Sequence, residues 1–146
     1  MRLALFAACA TLLGGVPAAR AQTAADSAAI RATALDYIEG WWTGNAERME
    51  RALHSHLAKR IVFTDSTGRS RLGDMTALEL VENVRAGGGT HTPQADQRKD
   101  VTILDAFRNA AIVKIDAGAW IDYLQEAKFN GRWVIINVLW ELRPRQ

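Results

Sequence analysis

Asp122 is the side chain in this sequence best placed to do chemistry, because it interrupts the otherwise apolar and aromatic run Ala119-Trp120-Ile121-Asp122-Tyr123-Leu124. A carboxylate embedded there is either desolvated or set on a pocket rim. Desolvation disfavours the charged form and raises the pKa, which makes a general base able to take a proton from carbon next to a carbonyl. Tyr37 and His54 are the candidates to stand beside it as hydrogen-bond donor and second acid/base group. Two structural roles compete with catalysis: a salt bridge from Asp122 to Lys114, Arg98 or Arg132, or exposure on an outer sheet face. Strand parity places Asp122 with Trp120 and Leu124, and a bulge near Gly118 would reverse that.

The aromatic residues Tyr37, Trp41, Trp42, Phe63, Trp120 and Tyr123 form a second candidate set, on which a flat heterocycle such as a pterin or flavin fragment would stack. Ordinary core packing is the competing role, since aromatics at a helical spacing such as 37 and 41 are commonly interior. His54 and His56 make an H-x-H pair. A metal would need a third ligand such as Asp65 or His91, and the spacing supplies none nearby, so no metal is expected. His54 is instead expected to face a cavity or fix a loop, with His56 exposed. Lys114 and Asp116 fit a solvated cross-strand ladder. Ser66, Thr67 and Ser70 lack a nucleophile-elbow context, and neither a phosphate-binding loop nor a dinucleotide fingerprint occurs, so no cofactor is expected.

The elements that must hold these groups follow from hydrophobic periodicity. Ile30, Ala34, Tyr37, Ile38 and Trp41 recur on one side of a helix capped at Asp26 or Ser27 and ending near Thr43-Gly44. Asn45 caps a second, short helix carrying Ala46, Met49, Ala52 and Leu53. Thr76-x-x-Glu79 has capping-box spacing and starts a third, with Leu78, Val81 and Val84 inward and Gly87 as its stop. Ile61-Val62-Phe63 reads as a strand, followed by a polar hairpin or loop from Thr64 to Arg71. Beyond the loop at Gly87-Gly88-Gly89, three long strands follow: Val101 to Phe107, Ala111 to Tyr123 and Arg132 to Leu142. Arg108-Asn109 and Asn130-Gly131 mark turns between them. The expected fold class is α+β, three N-terminal helices packed on a curved antiparallel sheet. In the last strand Val134, Ile136, Val138, Trp140 and Leu142 suit the helix-covered side. The alternate residues Trp133, Ile135, Asn137, Leu139 and Glu141 are too apolar for water alone, which predicts a homodimer through the outer sheet face, or else cover from the chain's own N-terminal segment.

Composition narrows the function classes. The chain has 146 residues, 49% hydrophobic and 23% charged, which is one ordinary globular domain. Its charge of +2 comes from Arg2 and Arg20 alone, leaving the remainder neutral and without a basic run. That argues against nucleic acid and against an anionic membrane surface as partner. Residues 1–21 combine Arg2, the apolar run Leu3 to Leu13, a Gly14-Gly15-Val16-Pro17 break and Ala19-Arg20-Ala21, which reads as a signal peptide cleaved after Ala21. The run is shorter than the roughly 20 residues of a spanning helix, so no membrane span is expected. Residues 22–146 are then one periplasmic or secreted domain, large enough for a self-supporting core. Cys9 is the single cysteine and falls in the leader, which removes disulfides, thiolate metal sites and thiol nucleophiles from the domain.

Several stretches carry a family resemblance: Ala34-Leu35-Asp36-Tyr37-Ile38-Glu39-Gly40-Trp41-Trp42, Met49-Glu50-Arg51-Ala52-Leu53-His54, Leu57-Ala58-Lys59-Arg60, Ala119 to Leu124, and Phe129 to Trp140. In these the chain resembles the nuclear transport factor 2-like superfamily, and within it the exported bacterial proteins labelled putative lumazine-binding. The resemblance implies a cystatin-like cone, a strongly bent sheet wrapped around the first helix with a ligand cavity at the open end, commonly paired into dimers through the outer sheet face. His56 departs from the family pattern of one histidine followed by Pro-Asp. The superfamily includes isomerases, dehydratases, cyclases and plain binding modules. Three functions are therefore carried forward: an exported domain binding a flat apolar or heteroaromatic small molecule, an acid/base enzyme of the isomerase, dehydratase or cyclase type using Asp122, and a ligand-free structural or interaction module.

Overall fold

A computed structural model describes residues 23–144. The expected signal peptide and its cleavage position lie outside the described residues. Thr23 accepts a hydrogen bond from the backbone N–H of Asp26 and so caps helix α1 (Ala24–Thr43). The cap is thus three residues ahead of the earlier of the two expected positions, Asp26 and Ser27. Asp26 falls in the first turn, where its carboxylate meets Lys128 and the Trp133 indole N–H. The helix stops at Gly44, whose φ of 66° is the left-handed conformation that glycine adopts without a Cβ clash. Ile30, Thr33, Ala34, Tyr37 and Ile38 form its buried stripe. Asn45 caps α2 (Ala46–Ala52), and Thr76 with Glu79 completes both halves of a capping box on α3 (Ala77–Arg85). In α3 the inward residues are Ala77, Leu80, Val81 and Val84, whereas Leu78 is exposed, which corrects its expected inward placement.

Six strands follow the order β2-β1-β6-β5-β4-β3, with β1 (Leu53–Thr64), β2 (Ser70–Thr76), β3 (Asp100–Phe107), β4 (Ala110–Asp116), β5 (Trp120–Phe129) and β6 (Arg132–Leu142). All neighbours are antiparallel except β1 and β6, which run parallel and join the early hairpin to the late meander. The expected single strand Ala111 to Tyr123 is two strands, because Gly118, at φ 81°, turns the chain between them. Asn130 and Gly131 have φ of 50° and 82°, the pair of positive angles a type I′ hairpin requires. The result is an α+β fold, three helices on a curved open sheet.

Bulges bend the sheet. β5 and β6 pair Gln125 with Asn137 and then Glu126 with Ile135, leaving Ile136 unpaired. A single extra residue reverses the parity of everything beyond it. From Val138 onward the even residues of β6 face the helices, as expected; before the bulge Trp133 and Ile135 do so instead, packed in the core with Ile30 and Ala34 of α1. The outer face carries Ile112, Tyr123 and Leu139, all more than two-fifths exposed. Among the described residues no helix is long and apolar enough to cross a membrane.

Candidate functional site

At one end of the bent sheet the helices do not fill the concavity, and a cavity of about 280 Å³ remains. Tyr37, Ile38 and Trp41 of α1 form one wall, Met49, Met75 and Leu80 close the side, and Trp120, Trp140 and Leu142 form the sheet floor. Lys59 is the one charged residue in this lining. It lies on β1 between the buried Leu57 and Ile61, so the period of two turns it inward.

Lys59 is opposite Val138 on β6, and Asp122, on the far side of β6, is opposite Trp140. The lysine stem therefore reaches diagonally across β6, carrying its ammonium 4.7 Å from the centroid of the Trp140 ring. Lys59 Nζ donates to Asp122 Oδ1 at 2.7 Å and to the Tyr37 hydroxyl at 2.7 Å. Tyr37 donates to the same Oδ1 at 3.3 Å, and the Trp120 indole N–H donates to Oδ2 at 2.7 Å. Both carboxylate oxygens of Asp122, which is fully buried, are thus occupied. A buried ion pair requires this kind of satisfaction, since an uncompensated partner would keep its full desolvation cost. Burial pulls the Lys59 pKa below its ordinary value, with the charge and hydrogen bond of Asp122 opposing. Burial first, then the Asp122 charge, drives the Tyr37 pKa well above that of a free phenol.

The structure divides the sequence candidates. Tyr37, Trp41 and Trp120 line the cavity, and Asp122 lies immediately behind Tyr37, Trp120 and Lys59. Trp42 is core: its indole N–H donates to the Arg98 carbonyl at 2.9 Å, and its ring backs Trp120 at 5.1 Å. Phe63 is at the far end of β1, 40% exposed beneath Arg71, and does not reach the cavity. Tyr123 points to the outer face, because it is one residue from the inward Asp122. His54 opens β1 on a separate cleft with Ala77, Val81, Arg85 and Arg132, where its ring packs on Phe129 and its Nδ1 accepts from the His56 backbone. The ion partner of Asp122 is Lys59, not Lys114, Arg98 or Arg132; Arg98 meets Asp100 and Asp116, and Arg132 reaches the Arg51 carbonyl. Lys59 and Trp140 are the site residues that the sequence reading missed. The available signal was a lysine at the same strand parity as Leu57 and Ile61.

Glu126 shares the inward face of β5 with Asp122 and Leu124. It is 1% exposed, and neither carboxylate oxygen has a hydrogen-bond partner among the described residues. Burial alone pushes its pKa up to about 8.

Comparison with known proteins places the chain in a family. Residues 25–141 match the putative lumazine-binding family, and the chain belongs to it. Solved structures with the same fold include a nuclear transport factor 2-like protein of unknown function from Shewanella baltica, with a TM-score of 0.61 at 18% identity, covering 83% of this chain and 96% of that one. Another, from Methylobacillus flagellatus, gives a TM-score of 0.64 at 18% identity over 84% and 95% of the two chains. A protein of unknown function with a cystatin-like fold from Nostoc punctiforme gives 0.55 at 16% identity over 84% and 94%. At these identities the likeness establishes the fold alone. No curated protein matches the chain in sequence.

Proposed function

We propose that this protein is an exported binding domain that holds a flat, apolar or heteroaromatic small molecule in the cavity beneath Trp41, Trp120 and Trp140. The observation that carries this reading is an unfilled hollow of about 280 Å³ with aromatic and thioether walls and one polar cluster at its edge. Ligand sites combine such apolar walls with a few converging polar groups, and this volume is just under the roughly 300 Å³ at which their range begins, suited to a one- or two-ring molecule. The family description points the same way. Titration with a panel of pterins and other one- and two-ring heteroaromatic molecules should quench tryptophan fluorescence with one-to-one stoichiometry, and a Leu80→Trp variant that fills the hollow should lose the response. An unchanged spectrum across the panel at millimolar ligand removes the reading.

The isomerase, dehydratase or cyclase alternative with Asp122 as base has weaker support. Three donors already occupy the Asp122 carboxylate, and Lys59, Tyr37 and Trp120 stand between it and the hollow. A ligand-free interaction module would require a filled cone. Two further features belong to the same proposal. Ile112, Tyr123 and Leu139 form an apolar outer patch suited to a second copy of the chain. Export with cleavage after Ala21 would leave Gln22 as the first residue. Light scattering of the purified domain tests the first, and the N-terminal mass of protein recovered from a bacterial periplasm tests the second.

A further inference from the structure

We propose that Lys59 is a covalent capture residue: a small aromatic aldehyde or ketone entering the hollow condenses with its Nζ to form an imine. This rests on the binding reading, since the carbonyl compound must first occupy the cavity. Three observations support it. Lys59 is the one amine in the cavity lining, and its side chain is only 8% exposed. Its Nζ is 2.7 Å from a carboxylate oxygen and 2.7 Å from a phenol, so groups that accept and return protons are already in contact with it. The remaining walls are apolar or aromatic, which limits the water that would return an imine to its components.

The chemistry balances within these groups. Asp122 Oδ1 takes a proton from the Lys59 ammonium, which frees the nitrogen lone pair. That pair attacks the carbonyl carbon, and the C=O π pair moves onto oxygen, which takes the proton held by Asp122 Oδ1, giving an N-protonated carbinolamine. Nitrogen then loses its second proton as the C–O bond breaks and the C=N bond forms. The hydroxyl leaves as water, carrying the proton returned through Asp122 and Tyr37. Ammonium and carbonyl become protonated imine and water, with Asp122 returned to its carboxylate and without oxidant or reductant. A lysine desolvated in an apolar pocket is the established way to make such an amine nucleophilic near neutral pH, and the burial-driven lowering of the Lys59 pKa is consistent with that role.

The other three lysines are internal controls. Lys99 and Lys128 form ion pairs with Glu39 and Asp26, and Lys114 is on β4, away from the cavity lining. The experiment incubates the folded protein with 2-naphthaldehyde and sodium cyanoborohydride, maps the adducts by peptide mass spectrometry, and titrates 2-naphthalenemethanol in parallel as a twin that cannot condense. Expected is one secondary-amine adduct at Lys59, formed faster than at any other lysine. Urea-unfolded protein should lose this preference, and Lys59→Arg, which keeps the charge, should give no adduct at that position. Quenching by both probes with no preferred adduct at Lys59 overturns imine capture and leaves the binding reading in place. No quenching by either probe and no adduct removes both. Because the wild-type map decides the matter, the test does not depend on any variant folding.

Discussion

Asp122 and Glu126 are both inward on β5 and both withdrawn from solvent, at 0% and 1% exposure, yet they are opposites chemically. Three donors from three different elements converge on Asp122, whereas none reaches Glu126. The difference comes from what the bent sheet places over each. Asp122 is at the end where Lys59, Tyr37 and Trp120 line a hollow; Glu126 is at the bulge, opposite Ile135 of β6. Equal burial therefore does not mean equal roles. A satisfied acid can hold an ionised cluster at the edge of an apolar cavity, while an unsatisfied one is held neutral by its surroundings and makes stability depend on pH.

The largest expected effect comes from breaking the satisfied pair. Lys59→Met leaves Asp122 buried without its cation and should cost about 3–5 kcal/mol in urea unfolding. The double variant Lys59→Met with Asp122→Asn should recover much of that loss, and a double-mutant cycle showing no coupling would contradict the pairing. Next comes the unsatisfied acid. Its folded-state pKa of about 8 is above the ordinary 4.5, so between these values the native state holds the extra proton. Stability from this group is full below 4.5, declines by up to about 1.4 kcal/mol per pH unit as pH rises, and is lost above about 8. Glu126→Gln should flatten the stability–pH curve over that window, so that the wild-type-minus-variant difference falls as pH rises. Parallel curves would show that Glu126 is ionised or solvated. Smallest in stability is the outer face: Leu139→Arg should change folding by no more than about 0.5 kcal/mol, as surface changes generally do, while removing the proposed dimer, as read by light scattering.

The same comparison shows what the sequence made legible. Helix boundaries and hairpins were readable where one residue type does one local job: Gly44 at a left-handed cap, Thr76 with Glu79 in a capping box, Asn130-Gly131 in a type I′ turn. Asp122 and Tyr37 were readable as polar groups on apolar faces. Lys59 was not assigned to the site because its partner is 63 positions away and two strands over, a relation that no local pattern carries. Tyr123 and Phe63 were misplaced for the same reason, since aromatic character alone does not say which side of a sheet faces the hollow. The reversed parity in the first half of β6 depends on Ile136, and a single unpaired residue inside an apolar run leaves no trace in the alternation.

The five tryptophans allow the cavity to be tested residue by residue. Trp41, Trp120 and Trp140 face the hollow, whereas Trp133 is fixed to Asp26 at the other end of α1. In a two-dimensional nitrogen–proton spectrum, titration with a soluble pteridine should move the indole signals of the first three along a single saturable curve and leave that of Trp133 in place. Indole signals that all stay still, or that shift together with Trp133, would mean that the hollow takes no such guest.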